Sequence, residues 1–180
     1  MRALQRDRTD IALSLRMGGL VTGSRIRPYV EMAGYIRSAS SRMAAVTGMA
    51  IGGAFYDRIL TNPTILASSL VACDAVLQVR QRHPDRTRDF AHTIQIAHFQ
   101  DGEDLNDPAV HQRSAEGLGL DMTFELRGPR DLSPGLAAEF RSTREIGINS
   151  YPSVLSDATG HWQALPTVYD PAAFLDQVRS

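Results

Sequence analysis

The apolar positions change period along the chain. From Ile11 to Met17 they fall at Ile11, Leu13, Leu15 and Met17, the alternation of a strand with one buried face. Gly18-Gly19 ends the run, since glycine adopts turn conformations through which a strand does not continue. Beyond it, Tyr29, Met32, Ala33 and Ile36 fit a helical stripe, broken by Gly48, Gly52 and Gly53 around Met49, Ile51 and Phe55. Four polar–proline pairs then read as helix starts: Asn62-Pro63, Asp107-Pro108, Ser133-Pro134 and Asp170-Pro171. The polar side chain accepts from free first-turn amides, and proline's missing N–H costs nothing there.

The first of these starts predicts a helix with Leu66, Leu70, Cys73 and Leu77 on one stripe, stopped by His83-Pro84. A second helix carries Phe90, Ile94 and Ala97, and a third runs from Pro108 to Gly117 or Gly119. Asp121 is expected to cap a short helix holding Phe124. Pro134 opens a helix with Leu136 and Phe140 that ends at Gly147, and a last helix buries Phe174, Leu175 and Val178. Between these two, the run Ile148 to Leu155 and the run Trp162 to Leu165 flank the polar turn Asp157-Ala158-Thr159-Gly160, a β-hairpin with Trp162 expected in the core. Strand, long helical stretch, hairpin, helix: this is an α/β chain whose sheet carries a helical insertion, with residues 1–25 and 143–180 in one portion and 26–142 in the other.

Composition narrows the function. With 180 residues, 43% hydrophobic and 22% charged, the chain reads as soluble and globular, large enough for a core without staples. A net charge of −1 provides no field toward nucleic acid or an acidic membrane. No apolar run approaches a membrane span, and Met1 to Arg8 is too polar for a secretory signal, so a cytoplasmic location is expected. All 19 basic residues are arginine, which excludes Lys-centred covalent chemistry. The one cysteine, Cys73, allows no intrachain disulfide and sits on an apolar helical stripe, the place of a buried structural thiol.

Metal chemistry finds no foothold. His92 and His98 are six apart rather than four, and His83, His111 and His161 are scattered. The acidic run Asp101, Glu103, Asp104 and Asp107 around Gly102 lacks the ligand ladder of a calcium loop. Gly48, Gly52 and Gly53 follow no strand and form no dinucleotide fingerprint.

Several strings, in order, resemble the DsbA-like branch of the thioredoxin superfamily, in particular its FrnE-like members. Met17-Gly18-Gly19-Leu20 resembles the Gly-Gly-Leu after the family's second strand. Ser69 to Val76 (SLVACDAV) resembles Ser-Glu-Pro-Ala-x-x-Ala-Val, with Leu70 and Val71 in place of Glu and Pro. Gln95 to Gly102 (QIAHFQDG) resembles Gln-x-Ala-x-Phe/Tyr-x-x-Gly, and Gly147 to Pro152 (GINSYP) resembles the segment that ends in the family's cis-proline.

The resemblance implies a thioredoxin-like fold with an inserted all-helical domain. It places Met1 to Arg6 at the end of the family's first helix, so the opening strand and the Cys-x-x-Cys pair are absent, an N-terminal truncation. Disulfide exchange needs an attacking thiolate and a resolving thiol, and this chain carries neither at that place. It implies a cis Pro152, with Ser150, Tyr151 and Pro152 presenting backbone to an extended peptide or to glutathione as an added strand. No resident cofactor is implied, glutathione being the candidate ligand. A sheet without its central strand exposes unpaired edges, which points to a homodimer over that face.

Three readings of function follow: a DsbA-like protein-disulfide oxidoreductase without redox activity in this chain; a glutathione-binding transferase or isomerase resembling the kappa-class and 2-hydroxychromene-2-carboxylate isomerase types; and a non-catalytic dimerising interaction module.

Overall fold

In the computed structural model, which describes residues 12–157, 160–166 and 174, five helices surround one main core. Helix α1 spans Ala33–Thr47, α2 Leu70–Arg82, α3 Thr87–Phe99, α4 Pro108–Gly117 and α5 Pro134–Glu145. Two small antiparallel pairs, three short 3-10 segments and a π-helical turn at Phe55–Ile59 accompany them among the described residues. Strands β1 (Arg27–Pro28) and β2 (Leu66–Ala67) pair Arg27 with Ala67 and Pro28 with Leu66. Strands β3 (Val154–Ser156) and β4 (Gln163–Leu165) pair Val154 with Leu165, Leu155 with Ala164 and Ser156 with Gln163, the expected hairpin.

The core gathers around α2, which buries Leu70, Val71, Ala75, Val76, Leu77 and Val79. Phe90 and Ile94 of α3, Ala115 of α4, and Leu136 and Phe140 of α5 close over it, with Met17 from the N-terminal segment. Phe55, Ile59 and Leu60 form a second cluster, covered by Tyr29, Ile36 and Ile65. Removing a side chain like Phe90, wholly buried, from water contributes roughly 1.5–3 kcal/mol.

Two of the polar–proline starts behave as expected. The Asp107 carboxylate accepts from the Ala109 amide at 2.9 Å, and Ser133 Oγ accepts from Leu136 at 3.2 Å while donating to Asp74 Oδ1 at 2.8 Å. Asn62-Pro63 does not open a helix. Asn62 Oδ1 instead accepts from the Thr64 amide at 2.9 Å and from the Thr64 hydroxyl at 2.8 Å, closing a local turn. Leu66 is then drawn into β2, and α2 begins only at Leu70, whose amide donates to Ser68 Oγ at 3.1 Å. Asp170-Pro171 and most of the expected last helix lie outside the described residues; Phe174 is helical and half-buried.

Three further expectations change. Asp121 caps no helix: residues 121–127 are irregular, because side chains of neighbouring helices take their peptide groups. Gln78 both accepts from the Glu125 amide and donates to its carbonyl, at 3.0 Å each, Arg82 donates to Thr123 O and Gln112 to Met122 O. Phe124 still reaches the core and stacks on Phe90 at 5.5 Å. Trp162 is 49% exposed, since it precedes β4 on a two-stranded hairpin with little to cover it among the described residues.

The Ile11–Met17 strand also fails to form as a ladder. Ile11 lies outside the described residues, and from residue 12 to Met17 the chain is assigned no strand. Burial nevertheless alternates as the sequence implies, with Leu13 and Leu15 half-buried, Met17 buried, and Ala12, Ser14 and Arg16 exposed. The apolar face is right; the hydrogen-bonding partner is different.

Candidate functional site at the Gly18–Tyr151 junction

Helix α5 delivers the loop that carries the expected site residues. It ends at Glu145, and Gly147 takes φ +88°, a left-handed turn that costs a residue without Cβ little. Ile148 is buried as an anchor, and the chain then emerges, with Ser150 and Pro152 exposed and Tyr151 half-buried. The Tyr151–Pro152 peptide bond is cis. Ser153 Oγ donates to the Ser150 carbonyl at 2.7 Å, and Tyr151 Oη donates to the Gly18 carbonyl at 2.8 Å. Among the described residues no group bonds the Tyr151 backbone N–H or carbonyl. Ser150, Tyr151 and Pro152 are therefore brought together beside Gly18-Gly19, an open edge that could accept a short extended chain.

Gly18 and Gly19 are needed here for space. A Cβ on Gly18 would fall on the Tyr151 ring. A Cβ on Gly19 would lie 2.6 Å from the Phe140 ring, and Gly19 has φ +68°. The segment leading into them is held by side chains. Arg80 Nη1 donates to the Leu15 carbonyl at 2.9 Å, the Met17 amide donates to Glu139 Oε1 at 3.2 Å, and Thr143 Oγ1 donates to the Met17 carbonyl at 3.0 Å. Arg80 and Glu139 form a two-pronged ion pair at 2.9 and 2.7 Å, with Arg16 3.7 Å from the same carboxylate. Burial by itself would raise the Glu139 pKa. The Arg80 hydrogen bonds, the Met17 amide and the two arginine charges outweigh it and hold the carboxyl below its ordinary value.

Cys73 is close by and chemically quiet. Burial pushes its thiol up to about 12, outweighing the opposing pull of the Gly19 backbone, and Glu139 and Asp74 push the same way as burial. A thiol with that pKa is almost wholly protonated at neutral pH and attacks disulfides poorly.

Behind α2 lies a cavity of about 190 Å³, its walls including Tyr29, Leu66, Ala72, Cys73 and Phe99. One wall holds an ordered pair. His98 Nδ1 lies 2.8 Å from the Glu103 carbonyl, which can only accept, so Nδ1 carries the proton and Nε2 accepts from Tyr29 Oη at 3.1 Å. Burial depresses the His98 pKa against the opposing pull of the Glu103 carbonyl and Asp104. Burial and Asp104 together push Tyr29 up to about 12. Neutral donor and neutral acceptor match, a packing arrangement rather than an acid–base one. Among the described residues no group of three or more His, Cys, Asp or Glu is placed to hold a metal ion.

The sequence reading named the Tyr151 loop and missed Glu139 and Arg80. A signal was there: Leu136, Glu139, Phe140 and Thr143 share one helix face, and a carboxylate in an apolar stripe needs a buried cation.

No family model matches the chain, and no curated protein does. Solved structures do. The cytosolic disulfide reductase DsbM from Pseudomonas aeruginosa superposes with a TM-score of 0.77 at 23% identity, over 99% of this chain and 89% of that one. The same protein with GSH superposes with a TM-score of 0.76 at 22% identity, over 99% and 90%. The fold is DsbA-like. A thioredoxin-type α/β architecture with a helical insertion is thus established for this chain, and the junction just described joins Gly18-Gly19 to the cis-proline loop. Among the described residues no helix is long and apolar enough to cross a membrane.

Proposed function

We propose that this chain is a DsbA-like protein that holds glutathione or an extended peptide at the Ser150–Tyr151–Pro152 edge without turning over disulfides itself. The observation that carries this reading is the loop with Ser150 and Pro152 exposed, whose Tyr151 backbone groups are unbonded among the described residues. Such groups pair with an added strand. The DsbA-like fold, shared with a disulfide reductase whose structure is also known with GSH, supports the choice of ligand class. The lack of turnover rests on covalent chemistry: these 180 residues contain one cysteine, and its thiol is held protonated. A dithiol would have to come from residues other than these. Our placing of the chain in the FrnE-like branch rests on the order of the Met17–Leu20, Ser69–Val76, Gln95–Gly102 and Gly147–Pro152 strings.

Calorimetric titration with reduced glutathione tests the reading. We expect saturable binding in the micromolar to low-millimolar range, weakened by Tyr151→Ala; about −4 kcal/mol corresponds to a millimolar constant. Absence of binding at millimolar ligand, or binding indifferent to changes at residues 150–152, contradicts it. The homodimer expected from the sequence remains part of the proposal, and a strictly monomeric species in light scattering at micromolar concentration removes it.

A further inference from the structure

We infer that Glu139, on helix α5, is a positioning residue for the Tyr151 edge, acting through the backbone of Leu15 to Gly18. The inference rests on the reading of that edge as the binding site and adds what sets its geometry. Four hydrogen bonds converge on this segment. Arg80 reaches the Leu15 carbonyl, Glu139 the Met17 amide, Thr143 the Met17 carbonyl and Tyr151 the Gly18 carbonyl. Three of the four partners belong to α2 and α5, so helix side chains rather than a strand neighbour fix this segment. The fourth partner is the half-buried residue of the candidate site.

Glu139 is the hub. One carboxylate oxygen accepts from the Met17 amide and from Arg80, which also grips Leu15; the other accepts from Arg80 alone and lies near Arg16. The carboxylate is buried, so its geometry is dictated by these partners rather than by water. Neutralising it frees Arg80 and the Met17 amide together. Gly18 follows Met17 directly and has no room to shift without displacing the Tyr151 ring, which would occupy the site of a Cβ there. A small movement at Met17 is therefore passed to Tyr151 by contact and by the hydrogen bond to the Gly18 carbonyl. A site held by such a supporting shell loses affinity when the shell is loosened, even though no ligand contact is removed.

The test is 19F NMR of protein labelled with 3-fluorotyrosine. The chain has five tyrosines, and Tyr151→Phe assigns the resonance of Tyr151. In Glu139→Gln we expect that resonance to move or broaden while Tyr35, which is 68% exposed and remote in sequence, holds its position. Ile59→Ala, a core change in the separate Phe55 cluster, should lower stability and leave the Tyr151 signal unmoved. If Glu139→Gln does not fold, Thr143→Val removes only the donor to the Met17 carbonyl and should move the same resonance by less. A Tyr151 signal identical to wild type in a folded Glu139→Gln or Thr143→Val variant overturns the inference. Glutathione affinity is read separately on the same samples, with a loss of about tenfold expected in Glu139→Gln. Failure of the wild type to bind glutathione sinks the ligand reading, while the Tyr151 resonance still decides the role of Glu139.

Discussion

At the scale of single residues, the chain shows how strongly burial decides chemistry. Cys73 was expected as a buried structural thiol from its place on an apolar stripe; it is half-buried at the cavity wall, with its thiol pKa pushed up. Ellman's reagent at pH 8 should label it slowly in the native protein and at once in denaturant; rapid stoichiometric labelling of the folded chain would contradict this. Glu139 could be seen in the sequence as a charge on an apolar helix face, but periodicity does not show which arginine meets it across the core. Removing that arginine leaves an unpaired buried carboxylate, so Arg80→Ala should cost about 3 kcal/mol in urea denaturation, and a loss below 1 kcal/mol would argue against a tight pair. Tyr151→Phe deletes one hydrogen bond, to the Gly18 carbonyl, and should cost about 1 kcal/mol. Gly19→Ala combines a left-handed backbone with a contact on the Phe140 ring and should cost about 2 kcal/mol or more.

At the scale of elements, hydrophobic period was a good guide to which faces are buried and a poor one to what they bond with. Leu13, Leu15 and Met17 alternate in burial as a strand would, yet the main chain between them is satisfied by Arg80, Glu139 and Thr143, which lie at least 65 residues away in sequence. No local pattern encodes that. The same holds for residues 121–127, irregular because Gln78, Arg82 and Gln112 bond their peptides. Helix starts were legible where the polar–proline pair was followed at once by the helix, at Asp107 and Ser133. At Asn62 the side chain closed its own turn first. The pairing of β3 and β4 was read correctly, though the first strand covers only Val154–Ser156 of the run expected from Ile148, and Trp162 lies outside the core.

At the scale of the whole molecule, buried ionisable groups set the response to acid. His98 and His111 have folded pKa values below the ordinary 6.5, chiefly through burial. Below about pH 6.5 the unfolded chain takes up protons that the folded chain refuses, so stability falls as pH drops through that range. Glu139, depressed in the folded state, adds a stabilising contribution that is complete above its unfolded value of 4.5 and is lost as pH falls through its folded value. Melting temperature should therefore decline in two steps on acidification, with Glu139→Gln blunting only the lower one; a flat profile from about pH 7 to 5 would contradict the burial of the two histidines, and an unchanged lower step in Glu139→Gln would contradict the Glu139 ion pair. The order of strings from Gly18 to Pro152 made the DsbA-like fold readable, because they mark the turns and helix junctions that this architecture repeats, and the structural likeness over 99% of the chain bears that fold out. Insulin reduction driven by dithiothreitol or glutathione measures the central claim most directly, that these residues form a binding scaffold without a working dithiol. The account predicts precipitation of insulin no faster than in the protein-free control. Catalysed turnover by this chain, at a rate proportional to its concentration, would contradict it.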